Sequence, residues 1–123
     1  MVSAPRGLLK LIALQLLSQS SMSGAELQEQ IRRSSQGVWK PGPGSIYFMI
    51  KALREDALIV ELPGTKGTTR RYVIANKGRT ELEKRRAEVG REVRKQLDIL
   101  AYFSDLAGDA RLAASLRQLS TNT

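Results

Sequence analysis

The sequence predicts a mainly α-helical fold carrying a small β-hairpin. Three observations predict it: apolar residues recur at helical spacing in the first half, two short β-rich runs flank a glycine-punctuated tip, and a long, charged helical pattern follows. In order, the elements run helix, helix, helix, strand, strand, long helix. No internal repeat or low-complexity segment interrupts them.

The first helix is expected over residues 6–19, with Pro5 at its entrance, where a missing N–H costs nothing. Leu8, Leu9, Leu11, Ile12, Leu14, Leu16 and Leu17 wrap nearly its whole circumference. A helix apolar all round has to be covered on more than one side, by its own domain and by a further partner such as a second subunit. The second helix opens at Ser23, which has capping-box spacing with Glu26; Met22 and Leu27 stand where a hydrophobic staple closes the turn. It continues through Ile31 to Gln36 and Gly37, with Arg32 and Arg33 near its end, where cations suit the helix dipole.

Pro41, Gly42 and Pro43 keep residues 38–43 out of any helix. The third helix is expected to start at Gly44 or Ser45 and to bury Ile46, Met49, Ile50 and Leu53. Tyr47, Phe48, Lys51, Ala52 and Arg54 fall on its flanks and open side. Either Tyr47 and Phe48 pack against Trp39 and the proline turn, or they stand free to meet a ligand; the sequence weighs the two about evenly.

Residues 58–62 and 70–75 read as antiparallel strands, and residues 63–69 supply the glycines of a hairpin tip. Gly64, Lys66 and Gly67 do not make a phosphate-binding loop, because both the required glycine–lysine–hydroxyl spacing and the strand-to-helix setting are missing. The last long helix is expected over residues 77–104, capped by Asn76 or, a turn later, by Thr80 with Glu83. Leu82, Val89, Val93, Leu97, Leu100 and Phe103 form a seam close to a heptad stripe. Gly108 breaks the pattern, residues 110–119 make a short helix carrying Leu112, Leu116 and Leu119, and residues 120–123 are expected to fray. The expected division is a domain over 1–76 and a helical region over 77–123.

A formal charge of +8 on 123 residues, with a pI near 10.3, favours a polyanionic partner over a merely solvated cationic surface. Between Glu61 and Lys95 the basic residues outnumber the acidic ones about two to one, whereas the tail beyond is slightly acidic. Cys and His are both absent, which excludes disulfides, thiol chemistry, imidazole metal sites and His-based triads. Glu55 and Asp56 are the sole adjacent carboxylates and have no acid–base partner beside them. No catalytic residue, metal or cofactor is therefore assigned. The first apolar run, interrupted by Lys10 and Gln15, is too short to span a bilayer, and no convincing cleavage site follows it. The expectation is a cytoplasmic protein without a membrane partner.

Three helices, a strand, a basic tip, a strand and a long helix are the order of a winged helix-turn-helix with a C-terminal extension. Pro43-Gly44-Ser45-Ile46-Tyr47, followed by Leu53 and by Leu58-Ile59, resembles the recognition helix of the PadR-like transcriptional regulators. Arg71-Tyr72, with Ile74 and Gly78, is similar to that family's Y-x-L-T-x-x-G at the exit of the wing, Arg71 directly preceding the Tyr. The resemblance covers Gly7 to about Glu83. It departs at Phe48, where the family has Pro, at Ala57, where it has Gly, and at Ala75, where it has Thr. Ala57 is expected to resist the left-handed backbone a glycine would take there.

The resemblance implies a homodimer whose C-terminal helices pair and pack on the partner's first helix, with Leu9, Leu16, Val93, Leu97, Leu100 and Phe103 at the interface. It further implies a repressor that places its third helices in successive major grooves of a pseudo-palindromic operator on double-stranded DNA. Ser45, Tyr47, Phe48, Lys51 and Ala52 are the groove candidates, Lys51 for a guanine edge or a phosphate and Phe48 for a thymine methyl. Lys40, Lys66, Thr68, Arg70 and Arg71 are expected at phosphate or the neighbouring minor groove. Some family members sense aromatic compounds; here Tyr102 and Phe103 are better read as packing, and no effector follows. An architectural DNA-binding protein and a protein-interaction module also fit a winged helix.

Overall fold

The computed structural model describes residues 7–122; Pro5 and Arg6, the expected start of the first helix, lie outside the described residues. The elements are α1 (Leu8–Gln19), β1 (Met22–Ser23), α2 (Gly24–Ser34), α3 (Pro43–Glu55), β2 (Ile59–Glu61), β3 (Arg71–Ile74), α4 (Asn76–Leu106) and α5 (Ala110–Thr121). The class is mainly α with a small sheet, as expected. Two compact units form, one over residues 9–85 and one built on residues 86–122, so the first takes the opening turns of α4 with it. No described helix is long and apolar enough to cross a membrane.

The core of the first unit joins Ala13, Leu14 and Leu17 of α1 to Leu27 and Ile31 of α2, Ile46 and Leu53 of α3, and Ile59 of β2, all but fully buried. Each large side chain among them contributes about 1.5–3 kcal/mol by leaving water. Leu8, Leu9, Ile12 and Leu16 are left half-buried on the other side of α1.

The sheet has three antiparallel strands in the order β1-β3-β2, where a two-stranded hairpin was expected. Met22 and Ser23 pair with Tyr72 and Arg71, and Ile59, Val60 and Glu61 pair with Ile74, Val73 and Tyr72. A two-residue strand is too short to show any period, and its Ser23 doubles as the cap of α2. The Ser23 Oγ accepts from the Glu26 N–H at 3.2 Å.

Two helix ends position the site. After α2 the Gln36 N–H donates to the Arg33 carbonyl at 3.0 Å and the Gly37 N–H to that of Arg32 at 2.8 Å. After α3 the Ala57 N–H donates to Arg54 and the Leu58 N–H to Leu53, both at 2.9 Å. This is the paired closure that requires a left-handed residue just past the helix. Ala57 takes it, at φ 60°, contrary to the expected resistance. Leu53 and Leu58, which stand where this closure places its apolar contact, are both buried, and that burial outweighs a backbone cost of about 1–2 kcal/mol.

The start of α4 also differs from expectation. Asn76 is already helical and Thr80 lies a turn inside, so neither caps; Ala75 precedes the helix, and its carbonyl accepts from the Arg79 N–H at 3.0 Å. Gly78 explains how close the helix comes to the sheet. A Cβ there would lie 2.1 Å from the Leu58 carbonyl oxygen and 2.7 Å from Ile74 Cγ1, so only glycine fits.

In the second unit, Asp109 caps α5 by accepting from the Leu112 N–H at 3.0 Å, and Asp105 of α4 pairs with Arg117 of α5. Ala101 and Ala113 are fully buried. The helix continues through Thr121, where fraying was expected; the Thr121 hydroxyl donates to the Gln118 carbonyl at 3.0 Å.

Candidate nucleic-acid interface

α3 begins with Gly42 as its cap and Pro43 in its first turn, where the ring suits the helical φ. Burial of Ile46, Met49, Ile50 and Leu53 fixes which face looks out. Ser45, Tyr47, Phe48 and Lys51 stand exposed on that face, and Ala52 is half-buried at its edge. Phe48 is 77% exposed and Tyr47 53%, so the packing alternative fails for Phe48. Tyr47 leans on Gly24: a Cβ at that glycine would sit 3.4 Å from the Tyr47 ring.

The turn before α3 is tied down from two sides. The Ser35 Oγ accepts from the Trp39 N–H at 2.9 Å, and the Gln28 side-chain amide donates to the Pro41 carbonyl at 2.9 Å. Lys40 is left exposed between these ties, at the edge of a small cleft shared with Glu29 and Arg32. Glu29 receives Arg32 Nη2 at 2.6 Å and Arg33 Nε at 3.1 Å. The hydrogen bonds from Arg32, helped by one from Arg33, outweigh the opposing cost of desolvation and hold the Glu29 carboxyl down at about 2. Glu29 thus offsets part of the positive charge that α2 would otherwise present.

The wing tip is built by two threonines. The Thr65 hydroxyl donates to the Leu62 carbonyl at 2.8 Å and accepts from the Arg71 N–H at 3.3 Å; the Thr69 hydroxyl donates to the Lys66 carbonyl at 2.6 Å and accepts from the Lys66 N–H at 3.3 Å. With the backbone so satisfied, Lys66, Thr68 and Arg70 turn outward and are exposed. Arg70 is partly held, its Nε lying 3.4 Å from Glu61 Oε1 on the neighbouring strand.

Arg71 points elsewhere. Its guanidinium donates to both Glu26 carboxylate oxygens, to the Ser21 carbonyl at 2.7 Å and to the Ser21 hydroxyl at 3.2 Å. The structure therefore gathers Ser45, Tyr47, Phe48 and Lys51 on one helix face and Lys66, Thr68 and Arg70 on the wing, while Arg71 faces α2. Glu26 and Arg71 are 45 residues apart, and the capping-box spacing gives Glu26 a local partner instead, so the sequence hides this link. The Arg71 side chain is 35% exposed and that of Glu26 48%, so the pair adds on the order of 1 kcal/mol or less to stability.

Of the expected interface residues, Leu9 and Leu16 are half-buried in the first unit; in the second, Leu97 and Leu100 are half-buried while Val93 and Phe103 are exposed. The heptad seam missed Ile99 and Leu106. With Tyr102 and Phe103 they follow i, i+3, i+4, i+7 spacing, and all four are exposed. Hydropathy at helical spacing was the signal, one face around from the seam.

A family model described as the transcriptional regulator PadR-like family matches residues 13–84. The chain belongs to that family. This PadR-like protein is 32% identical to the transcriptional regulator YqjI of Escherichia coli (strain K12) over 83 residues, 68% of this chain and 40% of that protein. It thus spans less than half the length of that curated relative. Bacillus subtilis PadR, solved in complex with operator DNA, matches with 25% identity and a TM-score of 0.54 over 63% of this chain and 45% of that one. A transcriptional regulator from Clostridium thermocellum shares the fold at 20% identity, with a TM-score of 0.66 over 78% of this chain and 97% of that one.

Proposed function

We propose that this PadR-like protein is a sequence-specific DNA-binding repressor that acts as a homodimer in the cytoplasm, with α3 in the major groove and the wing on flanking phosphates. One observation carries the proposal: a helix face bearing an exposed Phe48 beside Lys51, in the same compact unit as a wing whose Lys66, Thr68 and Arg70 face solvent. An aromatic ring left in water on a recognition helix gains by meeting a thymine methyl, and Lys51 has the reach for guanine O6 and N7 or for a phosphate. Lys40, Lys66 and Arg70 supply sequence-independent affinity by displacing counterions. The likeness to a PadR solved with operator DNA supports the same partner here.

The exposed stripe of Ile99, Tyr102, Phe103 and Leu106, with Val93 earlier on α4, supports the homodimer, because such a stripe is costly to leave in water. A two-fold dimer reads a pseudo-palindromic operator through two copies of α3. No effector and no catalytic step are part of the proposal.

Lys66→Ala tests it. Affinity should fall for every sequence, and the slope of log affinity against log salt should lessen by about one unit. An unchanged slope removes Lys66 from the interface.

A further inference from the structure

We infer that Arg71 is a positioning residue: with Glu26 it locks the base of the wing to α2, and it serves DNA binding without touching DNA. The inference rests on the DNA-binding function proposed above and deepens it by separating the cation that sets the wing from the cations that meet phosphate.

Arg71 lies on β3 opposite Ser23, the residue that caps α2. Glu26 stands in the first turn of α2, so its carboxylate is presented towards β3 from the helix that packs beside α3. A capping-box glutamate would turn back to its own backbone; this one instead takes two guanidinium N–H groups in a fork. The remaining Arg71 donors reach the carbonyl and hydroxyl of Ser21, in the turn leading to β1. One planar group thus joins three segments: the entry to β1, the first turn of α2 and the base of the wing. Its own backbone N–H meets Thr65, which also holds the Leu62 carbonyl at the other root of the wing loop.

With its donors so occupied, Arg71 has little left to offer a phosphate without dismantling the link. Lys66, Thr68 and Arg70 lie further along the wing, so a change of angle at its base displaces them together. A half-exposed ion pair adds little to stability, whereas a forked, four-bond arrangement fixes direction well.

The sign of one substitution separates positioning from contact. Removing the negative charge of Glu26 near a polyanion should, on charge alone, tighten binding. If Glu26 acts by holding Arg71, removing it should weaken binding instead. The experiment measures affinity and salt slope on a mixed-sequence DNA duplex at low salt for the wild type, Glu26→Gln, Arg71→Gln and the charge-exchanged double variant Glu26→Arg/Arg71→Glu. Each is also made with and without Lys66→Ala, and thermal melting fixes the folded fraction used for every affinity.

The expected result is that Glu26→Gln and Arg71→Gln each weaken binding by about tenfold, the scale of a lost contact, and that Lys66→Ala then changes the salt slope little. The charge exchange should restore affinity together with the dependence on Lys66. The inference is overturned if Glu26→Gln binds as tightly as wild type or tighter, or if the exchange fails to rescue while wild type retains a Lys66-dependent slope. Loss of binding that tracks loss of folded protein overturns it as well. A wild-type protein that does not bind the duplex overturns the proposed function, and this inference with it.

Discussion

At the scale of single residues, Phe48 and Ala57 are the informative departures from the family pattern, and the structure gives them opposite meanings. Phe48 stands free on α3, so its value lies in what it meets. If that is a thymine methyl, replacing the contacted thymines by uracil should weaken wild-type binding by about 0.8 kcal/mol per methyl, roughly fourfold. Phe48→Ala should bind both duplexes alike; a variant that still discriminates between them would assign the methyl contact to another residue. Ala57, by contrast, tolerates a left-handed backbone that glycine adopts without strain. Ala57→Gly should therefore stabilise the fold by about 0.5–1 kcal/mol, raising the melting midpoint by about 3 °C; a lowered midpoint would mean that the closure of α3 is relaxed as it stands. Both positions were visible in the sequence as departures. Their consequences were not, because exposure and φ depend on how α3 lies against its neighbours.

At the scale of elements, periodicity found α2 and α3 because each has a one-sided apolar pattern that burial confirms, while α1 was legible as a run apolar nearly all round and the wing strands as short β-rich runs beside a glycine-punctuated tip. It missed β1, which has no room for a period, and misplaced the cap of α4. There the sequence offers Asn76 and Thr80, but the helix already begins at Asn76, and its first turn lies so close to Leu58 that position 78 admits only glycine. Charge on α2 was legible only in part: Arg32 and Arg33 read as helix-end cations, while their shared anchor Glu29 went unremarked. That carboxyl, held at about 2 instead of 4.5, is depressed on folding, so its stabilising contribution is whole above about pH 4.5 and is lost as pH falls towards 2. A carboxyl NMR titration should place the Glu29 midpoint near 2 and move it up towards 4.5 in Arg32→Gln. A wild-type midpoint at 4.5 would show that the Arg32 hydrogen bonds do not persist in solution.

At the scale of the whole molecule, the order of elements and two short motifs were enough to predict the class and the family, since both depend on local pattern. The candidate site was legible as a set of residues but not as an arrangement. Sequence grouped Arg70 and Arg71 as equal wing cations; the structure leaves Arg70 exposed and only loosely paired with Glu61, and ties Arg71 to Glu26 and Ser21. Likewise the apolar residues of α4 were visible, but which face remains uncovered depends on tertiary packing around Ala101 and Ser104. The central claim is that the exposed face of α3 reads base sequence while the wing supplies general affinity. Competition binding tests it most directly, with labelled DNA from upstream of the protein's own coding sequence and unlabelled mixed-sequence duplex as competitor. Wild type should keep the upstream DNA against an excess of competitor of about a thousandfold, the lower end of specific recognition. The Phe48→Ala/Lys51→Ala variant should lose that preference while still binding DNA at low salt. Equal competition by the mixed-sequence duplex against the wild type would contradict the claim and leave an architectural binder in its place.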